Sequence, residues 1–283
     1  MTSVNRQFHK PDKAESLLEL EYYTEGPVAG LGSEFYFTNL MGKGIFRYHE
    51  GVLTKWAEGT QPNGQAIMQD GRHLVCDSQR GVVLYEQDGQ ETKVLSPVYI
   101  EDVPVRCPND IVIDQENGFF FTDSVRDTGA VFFIDWEGKA KVIARDIDYA
   151  NGIVYHKRKQ LLYVAESYKN RILKIDLSIA VTSRDYLSEF ITLPFNRSNA
   201  VTGNLPDGLA LDEEERLWVA HYGMQALQVI SPQGTLQASL DTGIPLTSNL
   251  CFMGDEVWVT GGSGEPGPGR VSRLIAGVKG FSD

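Results

Sequence analysis

A unit of 38 to 55 residues recurs six times along this chain, and this repeat limits the fold more than any other feature of the sequence. In each unit an oxygen-bearing side chain stands at the start of one apolar segment, and the middle of a second apolar segment follows 10 to 13 residues later. These six polar residues, here called the ring residues, are Glu25, Asn63, Asn109, Asn151, Asp207 and Asn249. The second segments read FYFTN, HLVCD, FFFTD, LYVAE, LWVAH and VWVTG. Because the polar residue keeps its place in every unit, we expect the units to share a centre where the ring residues meet.

The segments within each unit predict the blades of a β-propeller. They are short, rich in Val, Ile, Phe and Tyr, and separated by turns, which is typical of propeller blades. A helical solenoid would instead show apolar residues spaced three and four apart. We therefore predict an all-β, six-bladed β-propeller, with residues 1–283 forming one domain. The blades are expected to begin near residues 25, 63, 109, 151, 207 and 249.

The two ends of the chain supply a means of closing the ring. The sixth unit stops after its third segment, while an unassigned β-like run at residues 17–24 precedes the first unit. A sheet left open would expose an unpaired edge strand. We therefore predict that the N-terminal run completes the last blade as its outer strand.

The propeller topology places the ring residues at one mouth of the central channel. The first strand of each blade lines this channel, and the second strand returns antiparallel to it, so the start of one and the end of the other lie on the same face. The ends of the second strands add a further set of polar residues around the mouth. These are Asn39, Asp77, Asp123, Glu166 and His221.

A structural alternative exists for three of the ring residues. Asn63, Asn151 and Asp207 each precede a glycine, and Asn-Gly and Asp-Gly pairs are strong turn formers. Glu25 argues against a series of turns, because Glu is a poor turn residue and yet occupies the equivalent place. Carboxylates and amide oxygens that converge on an axis favour a bound cation. Oxygen donors indicate Ca²⁺ first, with Mg²⁺, Mn²⁺ and Zn²⁺ as alternatives.

The chain resembles the family that includes gluconolactonases, senescence marker protein, luciferin-regenerating enzyme and the drug-responsive lactonases. The resemblance covers about residues 20–260 and rests on four motifs in the same order and spacing. The motifs are EGP at Glu25, PNDIVID with GFFFTD, ANGIVY with LLYVAES, and PDGLALD with RLWVAHYG. The strand pattern FFFTD and the phrase VAHYG resemble the drug-responsive lactonases, or the related diisopropyl fluorophosphatase, more than a strict gluconolactonase.

The resemblance implies one divalent cation at the channel mouth, held by Glu25, Asn151 and Asp207. It also implies Asn109 as a further ligand or a substrate contact. Sugar-specific members often carry an Arg two residues before the Asn of the ND motif, whereas here Arg106 lies three residues before Asn109.

The family implies a hydrolase that opens a lactone, and the residues agree with a metal-assisted route. No GxSxG motif is present, and the histidines do not fall beside a serine motif. We expect the cation to polarise the ester carbonyl, and Asp207 to orient or deprotonate the attacking water. Asp123 is a second candidate acid or base, with strand termination as its structural alternative. The alternatives to lactone hydrolysis are hydrolysis of a phosphotriester or fluorophosphate at the same site, and a non-catalytic binding module.

Loops on the mouth face are expected to set substrate specificity. They are residues 98–106, 196–205 and 261–269. Candidate substrate contacts are Asn109, Arg106, His221, Asn63 and Tyr99. For His221 a structural role is the alternative.

Composition limits the partners. With 26 Lys and Arg against 38 Asp and Glu, the chain carries a net charge of −12, which disfavours nucleic acid and anionic membranes as partners. The three cysteines are widely spaced and form no CxxC pair, and the N-terminal residues show no apolar signal segment. We therefore expect a cytoplasmic protein, a monomer or weak homodimer, that acts on a small lactone or ester.

Overall fold

The computed structural model describes residues 14–179, 183, 185–199 and 203–282. Within these residues, six four-stranded antiparallel sheets are arranged as the blades of a propeller. The first strand of each blade contacts the first strands of both neighbouring blades, so the inner strands form a closed ring around a central channel. The predicted six-bladed β-propeller is confirmed.

The first three blades follow one another along the chain. Their strands are β2 (Thr24–Ala29), β3 (Phe35–Asn39), β4 (Gly44–His49) and β5 (Val52–Glu58) in blade one, β6 (Pro62–Ile67), β7 (His73–Asp77), β8 (Gly81–Tyr85) and β9 (Glu91–Val94) in blade two, and β12 (Pro108–Asp114), β13 (Gly118–Asp123), β14 (Gly129–Asp135) and β15 (Ala140–Ile147) in blade three. A small hairpin of β10 (Tyr99–Ile100) and β11 (Val103–Pro104) precedes blade three on the mouth face.

The last three blades repeat the pattern, with short 3₁₀ turns at Lys157–Lys159, Ser167–Lys169 and Arg197–Asn199. Their strands are β16 (Ala150–His156), β17 (Leu161–Glu166), β18 (Arg171–Asp176) and β19 (Leu187–Thr192) in blade four, β20 (Leu205–Leu211), β21 (Leu217–Tyr222), β22 (Ala226–Ile230) and β23 (Leu236–Asp241) in blade five, and β24 (Leu246–Met253), β25 (Glu256–Gly262) and β26 (Gly269–Ile275) in blade six.

The N-terminal strand β1 (Glu15–Leu20) closes the ring by pairing antiparallel with β26 as the outer strand of blade six. This closure agrees with the prediction, but the strand is shifted from the expected residues 17–24. It ends at Leu20 because the chain must turn into blade one, where Thr24 already pairs with Asn39. The Thr24 hydroxyl donates to the Arg270 carbonyl oxygen at 2.6 Å and accepts from the Gly261 amide at 3.0 Å, which joins the first and last blades.

Apolar side chains fill the spaces between neighbouring blades. Between blades two and three, Leu74 and Leu84 pack with Phe119, Phe121 and Phe132, all of which are buried. The alternating pattern of the second strands produces this packing, since successive side chains point to opposite faces of the sheet and both faces meet another blade. The core therefore lies between the blades, and the buried polar ring residues lie at the mouth of the central channel.

Candidate active site

The ring residues lie within the first strands of the blades, each at an irregularity in strand pairing. The register between the first and second strand shifts in every blade, for example between Glu25 and Val28 and between Ala150 and Ile153. A bulge of this kind bends the strand and re-aims a side chain. Asn63, Asn151 and Asp207 are therefore strand residues at bulges, and the alternative that they form turns is not observed.

Glycines that follow four of the ring residues allow the inner strands to converge. A Cβ atom on Gly26 would lie 2.2 Å from the Asn63 carbonyl oxygen, and one on Gly152 would lie 2.1 Å from the Asp207 carbonyl oxygen. These distances are far below a van der Waals contact, so any larger residue would push neighbouring blades apart. The Asn-Gly and Asp-Gly pairs thus mark close approach between blades.

The four predicted metal ligands are all buried at the channel mouth. Their side chains belong to residues that are 5 to 8% exposed, and the four are Glu25, Asn109, Asn151 and Asp207. Glu25 Oε2 accepts a hydrogen bond from the Gly26 amide at 3.0 Å. Asn151 Nδ2 donates to Ser167 Oγ at 3.2 Å, whereas Asn151 Oδ1 is buried and has no hydrogen-bond partner. A buried acceptor without a donor is costly, and a cation would satisfy it.

The two carboxylates of this set disfavour each other's ionisation. Burial raises the pKa of Asp207 well above its usual range, and repulsion from Glu25 and Asp110 adds to the shift. Burial likewise raises the pKa of Glu25, with the Gly26 amide opposing and Asp110 adding to the effect. Negative charges held together in a buried site favour binding of a positive ion.

Asp110 is a buried polar residue at the axis that is absent from the residues predicted above. Its carboxylate accepts hydrogen bonds from the Ile111 amide at 3.0 Å and the Ile153 amide at 3.1 Å. Burial raises the pKa of Asp110 to about 6. The Asn249 side chain opposes the rise in the pKa values of Asp110 and Glu25, but to a smaller degree than burial raises them. One sequence signal was available: Asp110 occupies the position after a ring residue, where four other blades have glycine.

The channel opens at its other end into a cavity of about 690 Å³. Asp110 and Asn249 line its inner part, and the remaining walls are mainly apolar, including Ile153, Leu209 and Phe252. The orphaned oxygen of Asn151 does not line this cavity. The candidate site therefore lies at the mouth rather than in this cavity.

The polar residues at the ends of the second strands hold the loops that lead into the first strands. Asp123 Oδ1 accepts hydrogen bonds from the Arg106 amide at 2.9 Å and the Cys107 amide at 2.5 Å. Asp77 Oδ2 accepts from two backbone amides in the same way, and Glu166 Oε1 accepts from the Asp148 amide at 2.9 Å. Burial raises the pKa of Asp123, and these amide hydrogen bonds oppose the shift. The repeated geometry favours a structural role for the whole set.

His221 is fully buried between blades four and five. Its Nε2 atom lies 2.9 Å from Asn170 Oδ1, and its Nδ1 atom lies 3.2 Å from Gln228 Nε2. These partners require Nε2 to carry the proton and Nδ1 to accept. Burial lowers the pKa of His221 to about 4, so the ring is neutral at pH 7. The contacts agree with the structural alternative for this residue.

The remaining candidate substrate contacts differ in their surroundings. Asn63 is buried in the ring, and its Oδ1 atom has no hydrogen-bond partner. Arg106 is exposed, and Tyr99 is 63% exposed on the β10–β11 hairpin. Of the predicted loop 196–205, residues 200–202 lie outside the described part of the chain. Asn63 is thus part of the mouth itself, while the other two lie on its periphery.

The residues present fit a divalent cation of the oxygen-preferring kind. Among the described residues, no group of three or more His, Cys, Asp or Glu side chains is arranged to hold a metal. The set at the mouth has only two carboxylates and supplies its other oxygens from amides, of which Asn151 Oδ1 is free to bind. Carboxylate and amide oxygens are suited to Ca²⁺.

In the part of the chain that the structure covers, no helix is long and apolar enough to cross a membrane.

Comparisons with known proteins agree with this fold. A family model described as "SMP-30/Gluconolactonase/LRE-like region" matches residues 23–261. The Lactonase drp35 of Staphylococcus saprophyticus is 27% identical over 232 residues, which cover 71% of this chain and 68% of that protein. The Lactonase drp35 of Staphylococcus aureus strain MRSA252 is 28% identical over 230 residues, with the same coverage of 71% and 68%.

Solved structures show the same fold at lower identity. A gluconolactonase from Xanthomonas campestris superposes with a TM-score of 0.79 and 20% identity, over 97% of this chain and 93% of that chain. A calcium-binding protein, regucalcin, from Agrobacterium tumefaciens superposes with a TM-score of 0.77 and 19% identity, over 98% and 96% of the two chains.

Proposed function

The chain belongs to the SMP-30/gluconolactonase/LRE-like family, and from this premise we propose that it is a hydrolase that opens a lactone with the help of one divalent cation at the channel mouth. Membership of the family and similarity to the two staphylococcal Lactonase drp35 proteins support assignment to the lactonase class. The buried oxygen atoms at the mouth support the dependence on a cation. We propose a small-molecule lactone or ester as substrate, and a monomer or weak homodimer as the working form.

We propose that Glu25, Asn151 and Asp207 hold the cation, with Asn109 as a fourth ligand or a substrate contact. The single observation that carries this assignment is Asn151 Oδ1, which is buried without a hydrogen-bond donor in a site that also holds two mutually repelling carboxylates. When bound, Ca²⁺, or Mg²⁺, Mn²⁺ or Zn²⁺ in its place, would supply a Lewis acid that polarises the ester carbonyl.

Side chains at the channel mouth orient the attacking water and bind the substrate. Asp207 accepts a hydrogen bond from the attacking water and so orients it towards the carbonyl carbon. Attack forms the new carbon–oxygen bond, the ring carbon–oxygen bond breaks, and the proton that water loses ends on the released alcohol. Asn109 and Asn63 line the mouth and offer amide groups to the substrate. Asp123 has no comparable support as an acid or base, because its Oδ1 atom already accepts two backbone amides.

The test combines one substitution with metal removal. Asp207→Asn keeps the size of the side chain but removes a charge from the proposed ligand set, and it should lower lactone turnover by about 10²-fold or more. Asp255→Asn is the matched control, since Asp255 lies in an exposed turn at the other end of the channel. A chelator should abolish turnover and added Ca²⁺ should restore it. Full activity of Asp207→Asn and of chelated protein would contradict the proposal.

A substrate panel separates the proposed reaction from its alternatives. Wild-type protein is assayed against γ- and δ-lactones and against a phosphotriester such as paraoxon. Faster turnover of the lactones supports the proposal, whereas faster turnover of the phosphotriester indicates a phosphotriester hydrolase at the same site. Folded protein that turns over neither class would favour a binding module.

A further inference from the structure

A carboxylate from the sixth blade lies at the rim of the mouth and has no place in the ligand set proposed above. Glu265 belongs to the loop that joins β25 and β26, on the same face as the ring residues. Its Oε1 atom accepts a hydrogen bond from the Tyr222 hydroxyl at 2.8 Å. Tyr222 ends β21 of blade five, the blade that also carries Asp207. The Glu265–Tyr222 pair therefore spans blades five and six beside the candidate site.

The loop that carries Glu265 is fixed by backbone contacts. The Tyr23 amide donates to the Pro266 carbonyl at 2.8 Å, and the Ser263 amide donates to the Pro268 carbonyl at 2.9 Å. Gly267 packs so closely that a Cβ atom there would lie 2.1 Å from the Glu21 carbonyl oxygen. A carboxylate on a loop held at both ends has a defined position, as a specificity-determining group requires.

The Glu265 carboxylate is exposed, and pairs of tyrosine rings lie on the same face of the blades. The Tyr222 ring meets the Tyr23 ring edge to face, with 6.4 Å between the centroids. Tyr149 meets Tyr168 in the same way at 5.3 Å. Burial raises the pKa values of Tyr23, Tyr149 and Tyr222, and the negative charge of Glu265 adds to each shift.

The charge of Glu265 is not neutralised by a neighbouring cation. Within the described residues no ion pair to Glu265 is formed. The Arg126 guanidinium, which stacks 3.7 Å above the Tyr168 ring, is already paired with Asp148 at 2.7 Å. Because the ligand carboxylates Glu25 and Asp207 would be balanced by a divalent ion, Glu265 supplies surplus negative charge where the substrate enters.

We propose that Glu265 and Tyr222 form a subsite for a positively charged substituent of the substrate, so that the protein prefers lactones that bear an ammonium group over those that bear a carboxylate. This inference rests on the proposed lactone hydrolysis and names the class of lactone. A carboxylate attracts the cation directly, and tyrosine faces attract it through their ring quadrupoles. The same charge repels acidic lactones, which contributes to selectivity as much as the attraction does.

The experiment compares three γ-butyrolactones that carry the same ring and differ in one substituent. The substituents are trimethylammonium, the uncharged isostere tert-butyl, and carboxylate. For wild-type protein, kcat/KM should be about fivefold to tenfold higher for the trimethylammonium compound than for its isostere. In Glu265→Gln, which keeps an acceptor for Tyr222, this ratio should fall to about twofold or less, the remainder being due to the Tyr222 ring, while kcat/KM for the tert-butyl compound stays unchanged. Tyr222→Phe should give a smaller reduction of the ratio.

Glu137→Gln is the matched control, because it removes one negative charge from an exposed turn at the opposite end of the blades. It should leave the ratio of the two kcat/KM values as in wild type. An equal loss on all three lactones in Glu265→Gln would overturn the subsite, since it would make Glu265 part of the general machinery. A wild-type ratio of one would overturn it as well.

Lactone hydrolysis and the ammonium subsite can fail independently, and the experiment distinguishes the two results. If wild-type protein hydrolyses none of the lactones, lactone hydrolysis is overturned, and the subsite is judged by calorimetric binding of the trimethylammonium compound. Binding that Glu265→Gln weakens about fivefold would support the subsite even then. No difference between the two proteins would overturn it.

Discussion

Asn151 is oriented by Ser167, whose hydroxyl oxygen accepts a hydrogen bond from Asn151 Nδ2 at 3.2 Å. The same hydroxyl donates to the Pro206 carbonyl at 2.7 Å, directly before Asp207. One serine therefore fixes the amide of one proposed ligand and the backbone that carries another. The arrangement leaves Asn151 Oδ1 without a hydrogen-bond donor, which is the observation on which the proposed cation site rests.

Replacing Ser167 should weaken the cation site without unfolding the blade. In Ser167→Ala the Asn151 amide loses its partner and is free to rotate, and loss of such supporting contacts typically lowers metal affinity by about 10- to 100-fold. Calorimetric titration with Ca²⁺ measures this affinity directly.

Ser78→Ala provides the control for that measurement. Ser78 makes the equivalent inter-blade hydrogen bond, to the Pro108 carbonyl at 3.2 Å. No contact joins its hydroxyl to the side chain of a proposed ligand in the described residues. Equal losses of Ca²⁺ affinity in the two variants would show that the effect comes from the blade interface and not from the orientation of Asn151.

Much of this architecture follows from the sequence, because its physical causes are local or periodic. The blades repeat apolar segments and turns, and the oxygen-bearing residue at each bulge keeps its place, so the six ring residues follow from the repeat. The resemblance to the family then singles out Glu25, Asn151 and Asp207 among them as the predicted ligands. The lactonase class was accessible because four motifs match the family in order and spacing. These signals depend on spacing along the chain and not on the packing of distant blades.

Other features depend on how blades meet, which one sequence does not reveal. Asp110 was not predicted because its importance comes from lying against Ile153 of the next blade. Asp123 and His221 were expected to border the channel, yet their partners are a loop backbone and the amide side chains of Asn170 and Gln228. A position near the mouth does not fix the direction in which a side chain points.

A methyl group at Gly152 should disturb both stability and activity. In Gly152→Ala the new Cβ would lie 2.1 Å from the Asp207 carbonyl oxygen and 2.7 Å from the Gly208 Cα, so two inner strands must separate. Overpacking of this kind costs about 1–3 kcal/mol of unfolding free energy. Urea unfolding and kcat/KM measure the two effects. Gly32→Ala should change neither, because its Cβ would meet only the movable carboxylate of Glu34. Unchanged stability in Gly152→Ala would contradict the close approach of the strands.

Asp123→Asn should separate a structural carboxylate from a catalytic one. The variant keeps an acceptor oxygen for the Arg106 and Cys107 amides but loses the charge, and hydrogen bonds to charged groups contribute about 1.5–3 kcal/mol. We therefore expect lower stability and a kcat/KM within about threefold of wild type, whereas loss of a general acid or base would lower kcat by about 10²- to 10⁴-fold. Asp77→Asn, the equivalent change in blade two, should behave alike. A large drop in kcat for Asp123→Asn alone would restore its catalytic role.

Acid should destabilise the fold through His73, which is buried against Trp56 and Tyr36 with ring centroids 4.3 and 4.6 Å away. Burial lowers the pKa of His73 to about 4, so the folded protein holds the ring neutral. The unfolded chain takes up a proton once the pH falls below about 6.5, and unfolding is favoured increasingly until about pH 4, below which both states are protonated. The contribution of His73 to stability is therefore complete above about pH 6.5 and is lost between about pH 6.5 and 4, by up to about 3 kcal/mol.

His73→Phe keeps an aromatic ring between these neighbours and removes the titration. Urea unfolding of both proteins at pH 8, 6 and 4.5 measures the difference in unfolding free energy at each pH. The variant should be less stable than wild type at pH 8, because Gln65 Oε1 loses its hydrogen bond to Nδ1 of His73. The difference in unfolding free energy should become smaller as the pH falls. Only the wild-type unfolded chain gains stability by binding a proton at residue 73. Parallel curves, with the same difference at all three pH values, would mean that His73 does not titrate differently in the folded and unfolded states.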